Sequence, residues 1–558
     1  MYESYSIHHF ANHLPESHAH GPVSYKPASR VRPHHAMAIE LTGAHTTARV
    51  LVDDDSLAED DSLSADDSLA EDDSLVEESA LAQIQELIDH PAFTEPVRIM
   101  PDTHVGAGAP IGFTMPLAER IVPNIVGVDV GCGMAAANLG EELPLADAER
   151  ERRVRDAVPM GRDVHDYDDA PHLVNEFPFE RANRVFERFD EAFQERFGEP
   201  VDPIEFDFDG YDGEYFEALC ERVLASQRQG MGHVIQSVGT LGGGNHFVEF
   251  ARASEAGDYW LVVHSGSRYL GKSVAEYWQG TATDRRNVER IREAIPDDYH
   301  EYLEFDPATV EGRDLYEWVT GGKGESHIRK QRVRDDFEGS DIEDVFDVLS
   351  KLRPSDVVTD EAGDESDDGE GGGDGEAAAG RNTDLDWLEG REAHGYYVDM
   401  LFAQQYARWN RERMVDAICD ALGVDPTDRF QSIHNYVDFA DLTIRKGATP
   451  ARDGQRLVVP FNMADGSLLA RGRGNDEYHQ TAPHGAGRTM SRGAAHDAIG
   501  MDEFADAMDG IYSESVIESV RDEAPMAYKP AEAIAEAIEP TADVVDWLEP
   551  VHNLKATE

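Results

Sequence analysis

Five widely separated segments of this 558-residue chain carry a histidine or a cysteine where a strand-like stretch ends or a glycine-rich turn begins. The clearest is residues 260–263, Trp-Leu-Val-Val, which predict a buried strand that delivers His264. His246 follows three glycines and Asn245, and His434 follows an apolar–polar alternation. Side chains so far apart can converge only through the fold. The pattern therefore favours a fold of short strands and tight loops, and spacing by itself does not prove that the residues meet.

Another of these segments pairs a carboxylate with a thiol. Residues 121–130 predict a strand, at whose end Asp129 and Cys132 lie three residues apart among glycines. Both side chains can then face one cavity, and thiolate plus carboxylate suits a soft-to-borderline divalent metal. For Cys132 alone a buried core thiol is the favoured interpretation, but Asp129 and the histidines reverse that preference. The other cysteines, Cys220 and Cys419, lie in helix-like segments and are predicted to be core residues.

These side chains form a candidate metal-ligand set of one carboxylate, one thiol and three imidazoles: Asp129, Cys132, His246, His264 and His434. If they meet, the set is enough for two divalent ions, with the thiolate available as a bridge. Mixed sulfur, nitrogen and oxygen ligation suits Mn²⁺, Co²⁺ or Zn²⁺ better than Mg²⁺.

The most reactive stretch is residues 484–492, His-Gly-Ala-Gly-Arg-Thr-Met-Ser-Arg. Its small residues leave backbone N–H groups open to a ligand, and Arg488 and Arg492 offer planar forks that suit phosphate. His484 has a nitrogen that can attack phosphorus or shuttle a proton. The competing interpretation is a glycine-rich turn beside a helix start. A two-metal site beside a phosphate cradle points to phosphoryl or nucleotidyl transfer.

The charge of the chain is extreme and uneven. It carries 112 acidic and 49 basic residues, a net charge of -63, which would repel nucleic acid in dilute buffer and is typical of a protein from a very salty cytoplasm. Residues 434–492 depart from this, with eight basic and six acidic residues, and are the candidate anion site. With no apolar run of about 18–20 residues and no signal-peptide core, we expect a soluble cytoplasmic protein with no membrane partner.

Three stretches lack the periodicity of a packed element. Residues 1–36 are rich in His, Ser and Pro and are predicted to be a disordered extension. Asp-Asp-Ser-Leu recurs every six residues over residues 54–75, which indicates a disordered acidic insertion at about 53–78. Organisation is expected to break down from about 320 to 385, with a second disordered acidic insertion at about 355–382.

The intervening chain alternates between strand and helix patterns. Residues 38–41 and 46–52 predict two strands, and a helix is expected from near Ser79. Residues 141–230 are predicted to be largely helical, and residues 396–422 to form a long amphipathic helix.

Six segments, in order from about Met37 to Lys555, resemble the RtcB family of RNA ligases. They lie around Asp102, around Cys132, at Asn245-His246, at residues 264–268, at residues 445–449 and at residues 484–488. The resemblance implies an α+β fold, a single large catalytic body of mixed and antiparallel β-sheets wrapped by helices, which spans residues 37–558 and contains the acidic insertions. It also implies a ligase that joins RNA 3′-phosphate or 2′,3′-cyclic phosphate ends to 5′-hydroxyl ends, using GTP and two Mn²⁺ ions.

The resemblance assigns roles to residues as well. His484 is implied to become guanylylated, and Cys132 to bridge two metal ions whose shells the other four candidate ligands complete. Lys555 is implied to contact the guanine base. The implied nucleotide-binding residues are Asn245, Phe247, Glu249, Asn462, Ser467, Gly485, Ala486, Gly487, Arg488 and Lys555. An archease-type activator protein is an implied partner besides RNA.

The chain also departs from the family pattern. Asn462 stands where many members have a nucleotide-contacting serine, and residues 127–133 and 472–476 are closer to a divergent RtcB-like branch, so both tRNA splicing and RNA repair stay open.

Two other functions are compatible with parts of the pattern. A two-metal phosphoesterase or cyclic phosphodiesterase would need the metals but no covalent adduct on His484. A non-catalytic RNA-damage binding protein would have no need of five metal-type side chains.

Overall fold

The computed structural model of the chain describes residues 37–52, 76–198, 208–307, 309–310, 328–350 and 383–557. All of them belong to one unit, Ala36–Glu558. The described residues contain both helices and antiparallel or mixed sheets, which confirms the α+β class expected from the sequence. No helix among them is long and apolar enough to cross a membrane.

The first sheet has six strands and includes both strands predicted near the start of the described chain. In spatial order they are β1 (Met37–Thr42), β2 (Thr47–Val52), β3 (Val97–Ile99), β4 (Phe113–Pro116), β12 (Thr443–Lys446) and β11 (Asn435–Asp438). All pairings are antiparallel except that of β2 with β3, which is parallel. The pairing of β4 with β12 brings the loop after β3, which carries Asp102, beside a segment from the last quarter of the chain.

The second sheet has seven strands, all antiparallel. In spatial order they are β10 (Asp428–Ile433), β6 (Gly133–Gly140), β8 (Tyr259–Ser265), β7 (Phe247–Ala253), β17 (Ala542–Leu554), β15 (Ser467–Gly472) and β14 (Arg456–Pro460). In this register Gly133 lies opposite both Ser265 and Ile433, and Phe247 lies opposite His264. The four neighbouring strands β10, β6, β8 and β7 therefore each have one terminus at the same end of the sheet.

The remaining strands form two small ladders, β5 (Arg120–Ile121) with β9 (Leu388–Glu389) and β13 (Ala448–Pro450) with β16 (Thr481–Pro483). The α-helices are α1 (Glu78–Asp89), α2 (Asp147–Ala157), α3 (Leu173–Glu176), α4 (Phe179–Phe197), α5 (Gly213–Val223), α6 (Met231–Gln236), α7 (Arg268–Ala294), α8 (Lys330–Asp336), α9 (Ser340–Ser350), α10 (Gly390–Leu422), α11 (Arg492–Ala498), α12 (Met501–Ala507) and α13 (Ala531–Ala537). Short 3₁₀ helices span Pro123–Ile125, Asp297–Tyr302, Thr383–Leu385, Asp476–Tyr478, Glu518–Glu523 and Pro525–Ala527.

The long helix α10 is the one predicted over residues 396–422, and it begins earlier, at Gly390. Its first part, including Phe402, packs into the largest apolar cluster, and its last part, including Ile418, packs into a second cluster under the seven-stranded sheet. The helix ends at Gly423, whose φ of 70° is a left-handed conformation that glycine adopts without strain. Because α10 lies against β6 and β8, its side chains reach the backbone at the ends of those strands.

The strand predicted over residues 121–130 is wrong. β5 ends at Ile121, the 3₁₀ turn Pro123–Ile125 follows, and an irregular loop carries Asp129 and Cys132 to the start of β6. Proline breaks the run of strand hydrogen bonds, because its nitrogen has no proton to donate. Asp129 and Cys132 therefore precede a strand rather than ending one.

The expected loss of organisation from about 320 to 385 is also wrong in part. Helices α8 and α9 lie in this stretch, and Val333, Val345 and Leu349 are buried in a small apolar cluster. Ile342, Val345 and Leu349 recur at helical spacing, a signal that the surrounding acidic residues obscured.

Three predicted segments lie outside the described residues. They are residues 1–36, the repeat over residues 54–75 and the acidic insertion at about 355–382. Of the insertion expected at about 53–78, only the last part is described. Val76 is buried there and α1 begins at Glu78.

Candidate active site

The five candidate ligands form one connected group at this end of the seven-stranded sheet, where the strand termini meet. Cys132 Sγ lies 3.1 Å from His264 Nε2 and 3.5 Å from His246 Nε2. His246 Nε2 is 2.8 Å from a carboxylate oxygen of Asp129, and His264 Nε2 is 3.2 Å from His434 Nε2. Cys132, His246 and His264 each have a ligand atom within 4.8 Å of those of the other two.

The fold explains why these residues meet. Cys132 directly precedes β6, His246 directly precedes β7, His264 lies near the end of β8, and His434 directly follows β10. Neighbouring strands of an antiparallel sheet run in opposite directions, so the starts of β6 and β7 lie beside the ends of β8 and β10.

The second nitrogen of two of the rings is held by the backbone. His246 Nδ1 lies 2.9 Å from the carbonyl oxygen of Leu241, and His264 Nδ1 lies 3.1 Å from that of Asn245. A carbonyl can only accept a hydrogen bond, so each Nδ1 carries the proton and donates it. The Nε2 of His264 then faces the group with a lone pair, which is the orientation that a metal-ligating histidine needs, while the Nε2 of His246 lies against the Asp129 carboxylate.

Burial sets the protonation of the group. It lowers the pKa of His264 and His434 well below the usual range, so both rings are neutral at neutral pH. Burial, together with the Asp129 carboxylate, raises the pKa of the Cys132 thiol well above its usual range. Burial would raise the pKa of Asp129 too, but the adjacent His246 holds it below its ordinary value. The group thus offers one carboxylate, one thiol and imidazole lone pairs.

This donor set fits a divalent metal ion. The Nε2 atoms of His264 and His434 face each other at 3.2 Å, close enough for one cation to be coordinated by both neutral rings. Donor atoms 3.1–3.5 Å apart are at the spacing of ligands that share one ion at about 2.0–2.3 Å. The thiol of Cys132 must lose its proton on binding. Sulfur, nitrogen and oxygen donors together suit a borderline ion rather than Mg²⁺.

His484 lies directly beside this group, and its ring packs edge-on against that of His434 with centroids 4.8 Å apart. Its Nδ1 is 2.7 Å from Oδ2 of Asp102, which also accepts the backbone N–H groups of His484 (3.1 Å) and Gly485 (3.3 Å). Asp102 is fully buried. The carboxylate therefore holds the Nδ1 proton and leaves Nε2 as the nitrogen with a lone pair.

The loop after His484 approaches the Asp102 loop so closely that it requires a glycine. Gly487 has a φ of 74°, and a Cβ there would lie 2.2 Å from the Asp102 carbonyl oxygen. Lys529 forms hydrogen bonds with both the His484 loop and the Asp102 loop. Its backbone N–H donates to the Gly487 carbonyl (3.1 Å) and its ammonium donates to the carbonyl of Thr103 (2.5 Å). Burial lowers the pKa of Lys529 to about 8.

His484 opens into a pocket whose wall contains nine of the ten predicted nucleotide-binding residues: Asn245, Phe247, Glu249, Asn462, Gly485, Ala486, Gly487, Arg488 and Lys555. His264 and His434 line the same pocket, so the metal-ligand group and the pocket share a wall. The tenth residue, Ser467, does not line it. Ser467 is buried at the start of β15, next to Gly466, which does line the pocket.

Asn462 lines the pocket, but its amide is used within its own turn. The side-chain oxygen accepts the backbone N–H groups of Ala464 and Asp465, both at 2.9 Å, and the side-chain nitrogen donates to the Asp465 carboxylate at 2.7 Å. In this structure the residue therefore shapes the turn at the pocket wall.

One side of the pocket carries an ordered polar edge. Glu249 and Asn553 lie opposite each other on β7 and β17, and Asn553 Nδ2 donates to Glu249 Oε2 at 3.0 Å. The other Glu249 oxygen and the Asn553 oxygen have no hydrogen-bond partner among the described residues. Lys555 Nζ lies 5.8 Å from the centroid of the Phe247 ring. Burial raises the pKa of Glu249 to about 8, although Asn553 and Lys555 oppose the rise.

Glu523 is the counter-charge of the cations in this pocket. Its carboxylate lies 2.6 Å from Lys555 Nζ, 2.8 Å from Arg492 and 3.3 Å from Arg488, and it accepts the Tyr528 hydroxyl at 2.8 Å. Burial alone would raise the pKa of Glu523, but the three cations hold it well below the usual range. The cations are therefore fixed around one buried carboxylate.

The basic window over residues 434–492 is not a single anion site. Arg445 is fully buried and pairs with Asp438 at 2.8 Å, which is a structural ion pair. Of the eight basic residues in the window, Arg488 and Arg492 line the pocket and the others do not.

Several residues of the site carry no role in the sequence-based interpretation. Asp102 belongs to one of the six segments that resemble the family but carries no predicted role there, although it follows a strand-like stretch as other candidates do. Glu523 and Asn553 lie in helical and strand patterns with no local motif. Strand pairing and ion pairing bring them to the pocket, and the local sequence does not predict either kind of pairing.

Comparison with known proteins identifies the relatives of this chain. The profile of the family described as tRNA-splicing ligase RtcB matches residues 83–317 and 381–556. RNA-splicing ligase RtcB of Escherichia coli (strain K12) is 26% identical over 480 residues, which cover 82% of this chain and 90% of that protein. tRNA-splicing ligase RtcB of Aeropyrum pernix is 24% identical over 480 residues, which cover 78% of this chain and 83% of that protein.

Proposed function

Because the chain belongs to the RtcB family, we propose that it is an RNA ligase of RNA splicing or repair. Its relatives are named RNA-splicing and tRNA-splicing ligases. We further propose that it joins RNA 3′-phosphate or 2′,3′-cyclic phosphate ends to 5′-hydroxyl ends, with GTP and Mn²⁺. The observation that carries this proposal is the contact of the buried Asp102 carboxylate with His484 at 2.7 Å, in a pocket that shares a wall with a metal-ligand group.

His484 is the proposed nucleophile. Its Nε2 attacks the α-phosphorus of GTP, a nitrogen–phosphorus bond forms, and the bond from the α-phosphorus to the bridging oxygen breaks as pyrophosphate leaves with the electron pair. The Nδ1 proton stays between the ring and Asp102, whose negative charge offsets the charge that develops on the imidazole. The N–H groups of Gly485 and Ala486 already donate to Asp102 and to the Pro460 carbonyl, so Gly487 is the proposed backbone donor to a phosphate oxygen.

The polar edge of the pocket supports guanine as the base. Guanine presents, side by side, an acceptor (O6) and two donors (N1–H and the 2-amino group). The unpartnered oxygens of Glu249 and Asn553 are acceptors, and the ammonium of Lys555 is a donor. Adenine presents a donor where guanine has O6 and an acceptor where guanine has N1–H, so the same edge would leave buried groups unpaired with ATP.

The residues that would hold metal ions are Asp129, Cys132, His246, His264 and His434. Bound Mn²⁺ would neutralise phosphate charge and favour the deprotonated form of an attacking hydroxyl. The chain's own contribution is to keep His264 and His434 neutral by burial and to hold the His246 and His264 rings by their Nδ1 atoms.

Joining requires two further transfers. An oxygen of the RNA 3′-phosphate attacks the phosphorus on His484, the phosphorus–nitrogen bond breaks, and its electron pair returns to Nε2. The 5′-hydroxyl oxygen then attacks the 3′-phosphorus and loses its proton, and GMP leaves with the electron pair of the broken bond. A 2′,3′-cyclic phosphate must first be opened by water to a 3′-phosphate. His484 activates the phosphate because an anionic 3′-phosphate has no good leaving group.

Incubation with GTP labelled on the α-phosphate, Mn²⁺ and RNA ends tests the proposal. We expect an acid-labile covalent guanylate on the protein and its transfer to RNA that ends in a 3′-phosphate. A two-metal phosphoesterase would release phosphate from RNA ends without the adduct, and a non-catalytic RNA-binding protein would do neither.

We also propose that residues 37–558 act as one ligase body, with the acidic stretches at about 53–78 and 355–382 as insertions and residues 1–36 as an extension. An archease-type activator is a further proposed partner. Joining assays with tRNA halves and with damaged RNA distinguish the two proposed substrates.

A further inference from the structure

Two consecutive residues of α10, Asn410 and Arg411, are fully buried next to the metal-ligand group. Neither residue is a candidate ligand, and neither lines the pocket. The buried positions one turn away on the helix, Ala407 and Met414, are apolar. Burying an amide and a guanidinium costs free energy unless their polar atoms are hydrogen-bonded, so their partners indicate their role.

Asn410 joins two segments that carry ligands. Its side-chain oxygen accepts the backbone N–H groups of Gly239 (2.7 Å) and Thr240 (3.2 Å), in the loop that leads to β7. Its side-chain nitrogen donates to the Ser265 hydroxyl and to the Gly266 carbonyl, both at 3.1 Å, at the end of β8. One amide therefore holds the two strand ends at a fixed separation.

The same chain of bonds continues to a ligand ring. The Ser265 hydroxyl donates to the carbonyl oxygen of Leu241 at 2.8 Å, and that oxygen also accepts Nδ1–H of His246 at 2.9 Å. The orientation of the His246 ring is thus linked to Asn410 through one hydroxyl and one carbonyl.

Arg411 joins a third segment to the same strand end. Its Nη1 donates to the carbonyl of Gly131 and to that of Ser265, both at 2.7 Å. These carbonyls belong to the residue before Cys132 and the residue after His264. A single guanidinium nitrogen therefore spans the backbone on either side of the closest thiol–imidazole contact, which is 3.1 Å.

The charge of Arg411 has no carboxylate partner within ion-pair distance among the described residues, and its Nε donates to the neutral amide of Gln431 at 3.0 Å. Burial lowers the pKa of Arg411 to about 10, against the opposing influence of Cys132 and Asp129. The guanidinium is therefore charged at neutral pH, and its Nη1 is bound by the two backbone carbonyls beside the ligands.

We propose that Asn410 and Arg411 are positioning residues of the metal centre, which hold the backbone beside Cys132, His246 and His264 so that their donor atoms converge before a metal ion arrives. The inference rests on the proposed metal site and adds residues to it. A metal site assembled from separate strands binds weakly if those strands must first be brought together, and partners behind the ligands commonly change metal affinity about 10- to 100-fold.

The test is a calorimetric titration of the full-length protein with Mn²⁺ alone, without GTP or RNA. Arg411→Gln removes the guanidinium nitrogen that donates to both carbonyls, and we expect it to weaken Mn²⁺ binding about 10- to 100-fold. Arg411→Lys keeps the charge and one donor and should recover part of the affinity. In Co²⁺-loaded protein, the thiolate-to-metal absorption band should shift in Arg411→Gln and move back toward wild type in Arg411→Lys.

Tyr406→Phe is the matched control. Tyr406 is equally buried on the same helix, and its hydroxyl donates to the carbonyl of Val234 at 2.6 Å, in α6 rather than beside a ligand. We expect this variant to lose thermal stability and keep the Mn²⁺ affinity and the Co²⁺ spectrum of wild type. Ser265→Ala is a milder variant that removes the hydroxyl between Asn410 and Leu241, and it should weaken Mn²⁺ binding several-fold even if the Arg411 variants do not fold.

Wild-type Mn²⁺ affinity in Ser265→Ala and in every Arg411 variant that folds would overturn the inference, as would an equal loss of affinity in Tyr406→Phe. Cys132→Ala separates this outcome from failure of the proposed function. If wild type binds no Mn²⁺, or if Cys132→Ala binds it as tightly as wild type, the proposed metal site is wrong. If only the positioning variants behave as wild type, the metal site stands and the positioning role does not.

Discussion

The carboxylate of Asp102 holds His484 in two ways at once. Its Oδ2 atom lies 2.7 Å from the ring Nδ1 and 3.1 Å from the backbone N–H of the same residue. One oxygen therefore fixes both the rotation of the ring and the place of its backbone, and it selects the tautomer in which Nε2 carries the lone pair. Asp102 is the partner that a nucleophilic histidine needs in the proposed guanylate transfer.

Asp102→Asn should slow formation of the guanylate on His484 by about 10²- to 10⁴-fold, since the amide keeps the shape of the carboxylate but not its charge or its preference for the Nδ1 proton. The measurement is the single-turnover rate of labelling with α-labelled GTP. Mn²⁺ affinity should stay at the wild-type value, because Asp102 is not in the ligand set. A labelling rate close to wild type would show that Asp102 has only a structural role.

His484→Ala and Cys132→Ala should both abolish the guanylate adduct, for different reasons. His484→Ala removes the nucleophile and should leave Mn²⁺ binding intact. Cys132→Ala removes a ligand and should reduce the amount of bound Mn²⁺. Parallel measurement of adduct and bound metal distinguishes the two variants. RNA joining at near wild-type rate in His484→Ala, with GTP and Mn²⁺ present, would place the nucleophile elsewhere.

The ends of the buried strands could be predicted because their apolar runs are uninterrupted. Residues 260–263 predict β8, and that strand delivers His264 to the ligand group as expected. Residues 121–130 are rich in Ile and Val, yet Pro123 and irregular turns interrupt them, so the predicted strand is absent. Cys132 nevertheless lies with the histidines, because the start of β6 adjoins the end of β8.

Residues that act through distant pairing could not be predicted in the same way. Asn553 belongs to the pocket because the register of β17 against β7 places it opposite Glu249. The sequence near residue 553 does not predict that register. In the sequence, Asn410 and Arg411 look like ordinary polar residues of a helix. Only their hydrogen bonds to backbone atoms of distant segments indicate a role. Pairing of distant segments is set by the packing of the whole chain rather than by local propensity.

Binding of GMP without metal should strengthen as pH rises, up to about pH 8. Burial raises the pKa of Glu249 to about 8 in the nucleotide-free protein, so below that pH the carboxyl is protonated. The N–H donors of guanine favour the carboxylate, so binding releases a proton, and Kd should fall by about tenfold per pH unit between roughly pH 6 and 8 and then level off.

Glu249→Gln is the control for this pH dependence. The amide has nearly the same shape, cannot titrate in this range and presents a single acceptor. GMP should bind more weakly at pH 8, and the slope between pH 6 and 8 should vanish. If the variant retains the wild-type slope, another group is responsible for it.

Removal of the acidic segments should leave the ligase body intact. The described residues flanking the first insertion are in place on both sides of it, since β2 ends at Val52 and Val76 is buried before α1. We expect a chain that starts at Met37, with residues 54–75 and 355–382 replaced by short flexible linkers, to fold and to form the guanylate adduct in high salt. Loss of folding on shortening any one segment would show that it belongs to the core.

Lys555→Met should reduce discrimination between GTP and ATP. The ammonium of Lys555 is the donor on the polar edge of the pocket, and Glu523 holds it in place at 2.6 Å. Methionine fills a similar volume without a donor, so O6 of guanine would lose its partner at a cost of about 1–3 kcal/mol. GTP affinity should fall by about 10- to 100-fold, while the weaker binding of ATP changes much less. Lys272→Met, at an exposed position on α7, is the matched substitution and should change neither affinity. Equal losses for GTP and ATP in Lys555→Met would mean that the lysine serves the phosphates rather than the base.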